Sequence, residues 1–137
     1  MNDTAQNNLN LVKSYYQAFN EGETQKMLSF LHHNVEHEIN QGKTETGVDI
    51  FTQFMKHMDE CYKEELKNMT FFVGDKAHKI AAEFDVHGTY LKTDGKLPEA
   101  KGQKYVIRAG AFIDIEDSKI KRISTYYNLP RWIEMVK

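Results

Sequence analysis

The sequence predicts an α+β fold in which helices stack on one face of a curved, mainly antiparallel sheet. Up to Tyr62, apolar residues recur at spacings of three and four; after Lys63 they alternate with polar ones; and short turns at Gly74-Asp75-Lys76 and Asp117-Ser118 join the alternating runs. Helices first and strands after them indicate α+β rather than an alternating α/β chain.

Leu9, Val12, Tyr16 and Phe19 make the stripe of the first helix, which starts after the capping-type residues Asp3 and Thr4 and stops at Asn20-Glu21-Gly22. A shorter helix carries Met27, Leu28 and Leu31 and ends at His32-His33-Asn34, where a strand from Val35 to Ile39 begins. The third helix opens after Thr46-Gly47, has Asp49 in its first turn where the helix dipole favours an acid, and carries Phe51, Phe54, Met55, Met58 and Tyr62. Strands follow around Leu66 to Val73 and Lys79 to Leu91, then a polar loop from Lys92 to Gly102, then strands from Gln103 to Glu116 and Lys119 to Tyr127. Pro130 suits the first turn of a short closing helix with Trp132, Ile133 and Val136.

A chain of 137 residues suits one domain, residues 1–137, with a single core and room for a pocket. Its 18 basic and 20 acidic residues, without a long like-charge block, argue against a nucleic-acid partner. Cys61 is the only cysteine, which rules out an internal disulfide and a zinc site built on cysteines, and fits a reducing compartment, the cytoplasm. The polar stretch Met1 to Asn10 does not read as a signal peptide, and no apolar run is long enough to span a membrane. The six histidines are scattered without a compact ligand motif, so neither a metal nor a cofactor is expected.

The segment Leu11 to Glu23, Gly47 followed by Phe51 and Phe54, and Lys119 to Ile123 with Tyr126-Tyr127-Asn128 resemble the nuclear transport factor two-like superfamily over nearly the whole chain. His37 to Gly42, Val86 to Tyr90 and Ala109 to Phe112 are similar to its SnoaL-like, ketosteroid isomerase-related members. The resemblance implies a cone-shaped barrel: a strongly curved mixed sheet wrapping three helices, a pocket between them, a short C-terminal helix, and a homodimer formed through the sheet. It does not fix the reaction, because one fold hosts many chemistries.

In the steroid isomerases a carboxylate takes a proton from carbon next to a carbonyl, while a tyrosine and a protonated aspartic acid hold the oxyanion. The resemblance places Tyr15 at the tyrosine, Ile39 at the base, between Glu38 and Asn40, and Gly110 at the aspartic acid. The base must then be a neighbour. Alternation puts Val35, His37 and Ile39 on one strand face and Glu36, Glu38 and Asn40 on the other, so a regular strand turns only one of His37 and Glu38 inward. As base, Glu38 needs burial to raise its pKa, whereas His37 titrates near neutrality unaided.

On the long strand Ala81, Glu83, Asp85, His87 and Thr89 share a polar face, where His87 with Glu83 would form a second proton-handling pair, or else face water or a partner. Arg108 is a candidate anion anchor. Phe54, Met58, Tyr62, Tyr127 and Trp132 are core residues that also suit a cavity wall, with Asn40 as a polar contact. The leading expectation is a cofactor-free acid-base enzyme, an isomerase, dehydratase or cyclase, acting on a small apolar or aromatic carbonyl compound in an internal pocket. The alternatives are a non-catalytic ligand-binding module and a dimeric interaction domain whose pocket is filled by its own side chains.

Overall fold

The computed structural model describes residues 2–39 and 42–137. In chain order the elements are α1 (Asp3–Asn20), α2 (Thr24–Ser29), β1 (Leu31–Ile39), β2 (Thr44–Thr46), α3 (Val48–Cys61), β3 (Tyr62–Val73), β4 (Lys79–Tyr90), β5 (Lys104–Glu116), β6 (Lys119–Tyr127) and α4 (Leu129–Val136). The six strands form one sheet in the order β2-β1-β6-β5-β4-β3. β1 runs parallel to β6, and the other pairings are antiparallel. The sheet curls around the helices without closing, so the expected barrel is an open cone with β2 and β3 as its edges.

Strict alternation builds the concave face. Ala82, Phe84, Val86 and Gly88 on β4 stand opposite Ala111, Ala109, Ile107 and Tyr105 on β5, and apart from Gly88 these side chains join the buried core. α1 lays Leu9, Val12 and Tyr16 on this face, with Tyr16 5.6 Å from the Phe84 ring and 6.3 Å from Phe71. The end of α1 is tied to β3 by one amide: Asn20 donates to the Leu66 carbonyl at 2.9 Å and accepts from the Leu66 N–H at 2.8 Å. α4 returns across the open end and sets Trp132 edge-on against Tyr62, Tyr90 and Tyr105 at 5.0–6.0 Å.

Four local features depart from the sequence reading. The cap of α1 is Asn2, whose side chain accepts from the Ala5 N–H at 2.8 Å, and Asp3 lies within the first turn. α2 ends at Ser29 because β6 captures the next residues: Ile120 N–H donates to the Phe30 carbonyl, and Leu31, expected on the helix, pairs with Ile120. Tyr62 is extended and opposite Tyr90, so it starts β3 instead of ending α3. The short strand β2, unforeseen, pairs with β1 and leads into Gly47, whose φ of +109° favours glycine and whose N–H donates to the Val35 carbonyl. No helix among the described residues is long and apolar enough to cross a membrane.

Candidate active site

β1 turns His37 inward and Glu38 outward. His37 stands beside Ile123 of β6 and is 7% exposed, its imidazole 4.8 Å from the Phe51 ring and 4.6 Å from Phe54. Its Nδ1 is buried and has no hydrogen-bond partner among the described residues. Such an atom costs about 1–3 kcal/mol of desolvation, a cost that natural cores rarely carry without a use. Burial holds the imidazole below its ordinary pKa, and the carboxylate of Glu45, opposite on β2, only partly opposes this. At neutral pH His37 is therefore uncharged, and in the tautomer with its proton on Nε2 the Nδ1 lone pair is bare.

Glu38 has the opposite character. Its carboxylate accepts a hydrogen bond from the Ser124 hydroxyl and another from Arg122 Nη1 at 3.1 Å, while Arg122 Nε donates to Asp114 at 2.7 Å. The Ser124 bond, aided by Arg122, pulls the Glu38 pKa down against a smaller effect of burial. A general base here needs a shift upward. The carboxylate is thus fixed as the charged partner in a network on the outer sheet face.

The remaining candidates divide between the two faces. Glu83 and His87 lie on the outer side of β4, opposite in direction to buried Ala82, Phe84 and Val86, so the expected proton-handling pair does not reach the interior. Arg108 is also outward and exposed, with its Nε 3.2 Å from Asp85 Oδ1, beside a groove of about 520 Å³ that Val106, Asn128 and Arg131 also line. A second outer groove of about 530 Å³ runs over Phe72, Ala81, Phe112 and Tyr126. Inside, Tyr15 is buried edge-on against Tyr16 at 5.0 Å, and burial pushes its phenol pKa up. Phe54 and Met58 are half-buried on α3, Tyr127 is half-buried on β6, and Trp132 is buried. Tyr62 donates to Asp94 at 2.7 Å. Asn40 lies outside the described residues.

A half-buried acid emerges that the sequence reading passed over. Glu64 on β3, Gly88 on β4 and Tyr105 on β5 form one row across the sheet, and Tyr105 Oη donates to Glu64 Oε2 at 2.5 Å. The ring reaches so far because nothing projects from the middle strand: a Cβ built on Gly88 would lie 2.2 Å from Tyr105 Cζ. Burial raises the Glu64 pKa, the bond from Tyr105 opposing it, and the Glu64 carboxylate in turn adds to the burial that pushes the Tyr127 phenol up. A glycine within an apolar strand face is the sequence signal for such a close approach.

The sequence profile of the SnoaL-like domain matches residues 12–123, most of the chain. The chain belongs to the SnoaL-like domain family. Three solved structures, each named a "putative polyketide cyclase", are similar throughout. The protein from Silicibacter sp. TM1040 is 45% identical over 96% of both chains, with a TM-score of 0.94. That from Pseudomonas putida KT2440 is 45% identical over 93% of this chain and 96% of its own, at 0.90. That from Xanthomonas campestris pv. campestris is 41% identical over 98% and 100%, at 0.94. No curated protein matches. In this SnoaL-like chain, among the described residues, His37 faces inward against Phe51 and Phe54 and half-buried Glu64 faces inward against Tyr105, while Glu38, Glu83, His87 and Arg108 belong to the outer face.

Proposed function

We propose that this chain is an enzyme that takes a proton from carbon next to the carbonyl of a small aromatic or polyketide-like compound, leading to isomerisation, dehydration or ring closure without a cofactor. The observation that carries the reading is His37: a buried, uncharged imidazole on the inner face, one nitrogen of which has no partner among the described residues. It is the general base, and a positioned base commonly contributes about 10²–10⁴ in rate. Tyr15, buried on α1, is the donor for the developing enolate oxygen in this reading. Phe54, half-buried and edge-on to the imidazole, is the side chain that must yield for a ligand to reach it. The names of the three similar structures support the substrate class.

The protein acts as a cytoplasmic homodimer in this reading. Phe72, Val106, Phe112 and Tyr126 are each at least half exposed on one face of the sheet, and exposed apolar side chains of this size suit an interface between copies. The mutual packing of Tyr62, Tyr90, Tyr105 and Trp132 favours a second reading, a dimeric interaction domain filled by its own side chains. A thermal-shift screen of aromatic β-keto acids, polyketide-like phenols and steroids separates the two, since a ligand of the native state must raise its melting temperature. Hits that are converted by the wild type and not by His37→Gln support the enzyme; a broad library without a hit favours the interaction domain.

A further inference from the structure

Near the C-terminal end of α3, three side chains of different chemistry aim at one point. His57 and Cys61 are four residues apart and so share a helix face, and Asp94 comes to them from the loop between β4 and β5. His57 Nε2 lies 2.7 Å from Asp94 Oδ1 and 3.9 Å from Cys61 Sγ, and the three donor atoms lie within 4.8 Å of one another. The arrangement is not a relay. In a cysteine–histidine–aspartate relay the thiol and the carboxylate engage opposite nitrogens of the ring, whereas here both face the same Nε2. Imidazole nitrogen, thiolate and carboxylate converging on one side is the pattern of ligands around a cation.

We propose that His57, Cys61 and Asp94 form a binding site for a divalent transition-metal ion of the zinc class. With bonds of about 2.0–2.3 Å, tetrahedral zinc spaces its donors roughly 3.3–3.7 Å apart. Cys61 Sγ and His57 Nε2 are close to that already, and His57 and Asp94 need to part by only a fraction of an ångström. His57, half exposed, has the freedom to do so.

The frame that holds the other two ligands is already rigid. Leu91 N–H donates to the Cys61 carbonyl at 2.8 Å, fastening the loop to the helix end. Tyr62 donates to Asp94 Oδ2, which fixes the carboxylate and leaves Oδ1 toward the site. Tyr90 Oη accepts from the Asp94 N–H at 2.9 Å and donates to the Pro98 carbonyl at 2.7 Å, pinning the loop further. Such outer-shell hydrogen bonds are what orient metal ligands. Coordination would displace the Cys61 thiol proton to solvent, and the mixed sulfur, nitrogen and oxygen set selects zinc or cobalt over magnesium or calcium. The fourth position is left to water. The site departs from the expectation of no metal because Asp94 is far from His57 in sequence and only the fold joins them. It is also separate from His37, which packs under Phe51 and Phe54 at the other end of α3, and stands whether or not the proposed reaction does.

The test is titration of the chelator-treated full chain with cobalt(II), followed by absorption spectroscopy. Because Cys61 is the sole cysteine, a thiolate-to-cobalt charge-transfer band can come from this site alone. The expected result is that band at one equivalent, with visible bands of tetrahedral intensity, both displaced by zinc. His57→Gln, at a half-exposed position, should fold and bind cobalt at least tenfold more weakly. Tyr62→Phe should cost about 10–100-fold in affinity by releasing the carboxylate. Cobalt binding without the charge-transfer band, no binding in the micromolar range, or equal affinity in His57→Gln would each overturn the proposal.

Discussion

Replacing Gly88 by alanine tests whether the row Glu64, Gly88, Tyr105 is a built feature of the interior. The new methyl would sit 2.2 Å from Tyr105 Cζ and 2.3 Å from its hydroxyl oxygen, so the ring must swing away. A free ring would do this at little cost. This one is held at both ends, by its hydrogen bond to Glu64 and by its edge contact with Trp132 at 5.7 Å. Overpacking costs about 1–3 kcal/mol, and stranding the half-buried Glu64 carboxyl without its donor adds up to about 1–3 kcal/mol more. A loss of about 2–5 kcal/mol is expected, read as a lower urea midpoint at unchanged slope. Tyr105→Phe alone, which keeps the ring and removes the donor, should cost about 1–3 kcal/mol. In the double variant the two losses should fall well short of additivity, since both act on one hydrogen bond. A Gly88→Ala protein within about 0.5 kcal/mol of wild type, or strictly additive losses, would refute the reasoning.

Other expectations follow from the same contacts. Trp132→Ala should destabilise by about 3–5 kcal/mol in urea melts, because the indole closes three tyrosine contacts at the open end of the cone. His37→Phe should leave stability unchanged or raise it while ending activity, since it removes a buried nitrogen that has no partner among the described residues; a large stability loss would mean that the nitrogen is satisfied after all. With its folded pKa lowered, His37 contributes no penalty above the unfolded value of about 6.5, and stability falls as pH drops from there toward the folded pKa; melting curves of His37→Phe should lack that decline. Phe112→Asp, at an exposed position on the outer face, should turn the proposed homodimer into folded monomer by light scattering; a wild-type chain that is already monomeric, or an unchanged mass in the variant, would remove this face as an interface.

The fold was legible because alternation and helical spacing are local. The sharing of one face by Val35, His37 and Ile39, and the two faces of β4, were written in sequence order, and the strands keep them. Where partners lie far along the chain, the local pattern misled. Leu31 extends an apolar helical stripe, yet pairing with Ile120 makes it a strand residue. Glu38 looked like a base because neither Ser124 nor Arg122, which fix its charge, is near it in sequence. Glu64 is missed because a strand expected from Leu66 starts four residues after the true start at Tyr62, which leaves the acid's inward turn out of the pattern. The close packing at Gly88 is not legible locally, because it depends on a ring from the next strand.

The central claim is that β1 presents His37, not Glu38, to a reacting carbon. Its most direct test is exchange of the acidic carbon-bound protons of a small aryl β-diketone for deuterium, followed by NMR in heavy water with wild type, His37→Gln and Glu38→Gln. Catalysed exchange should fall by about 10² or more in His37→Gln and persist in Glu38→Gln. Exchange that survives the loss of His37 and disappears with Glu38 would contradict it.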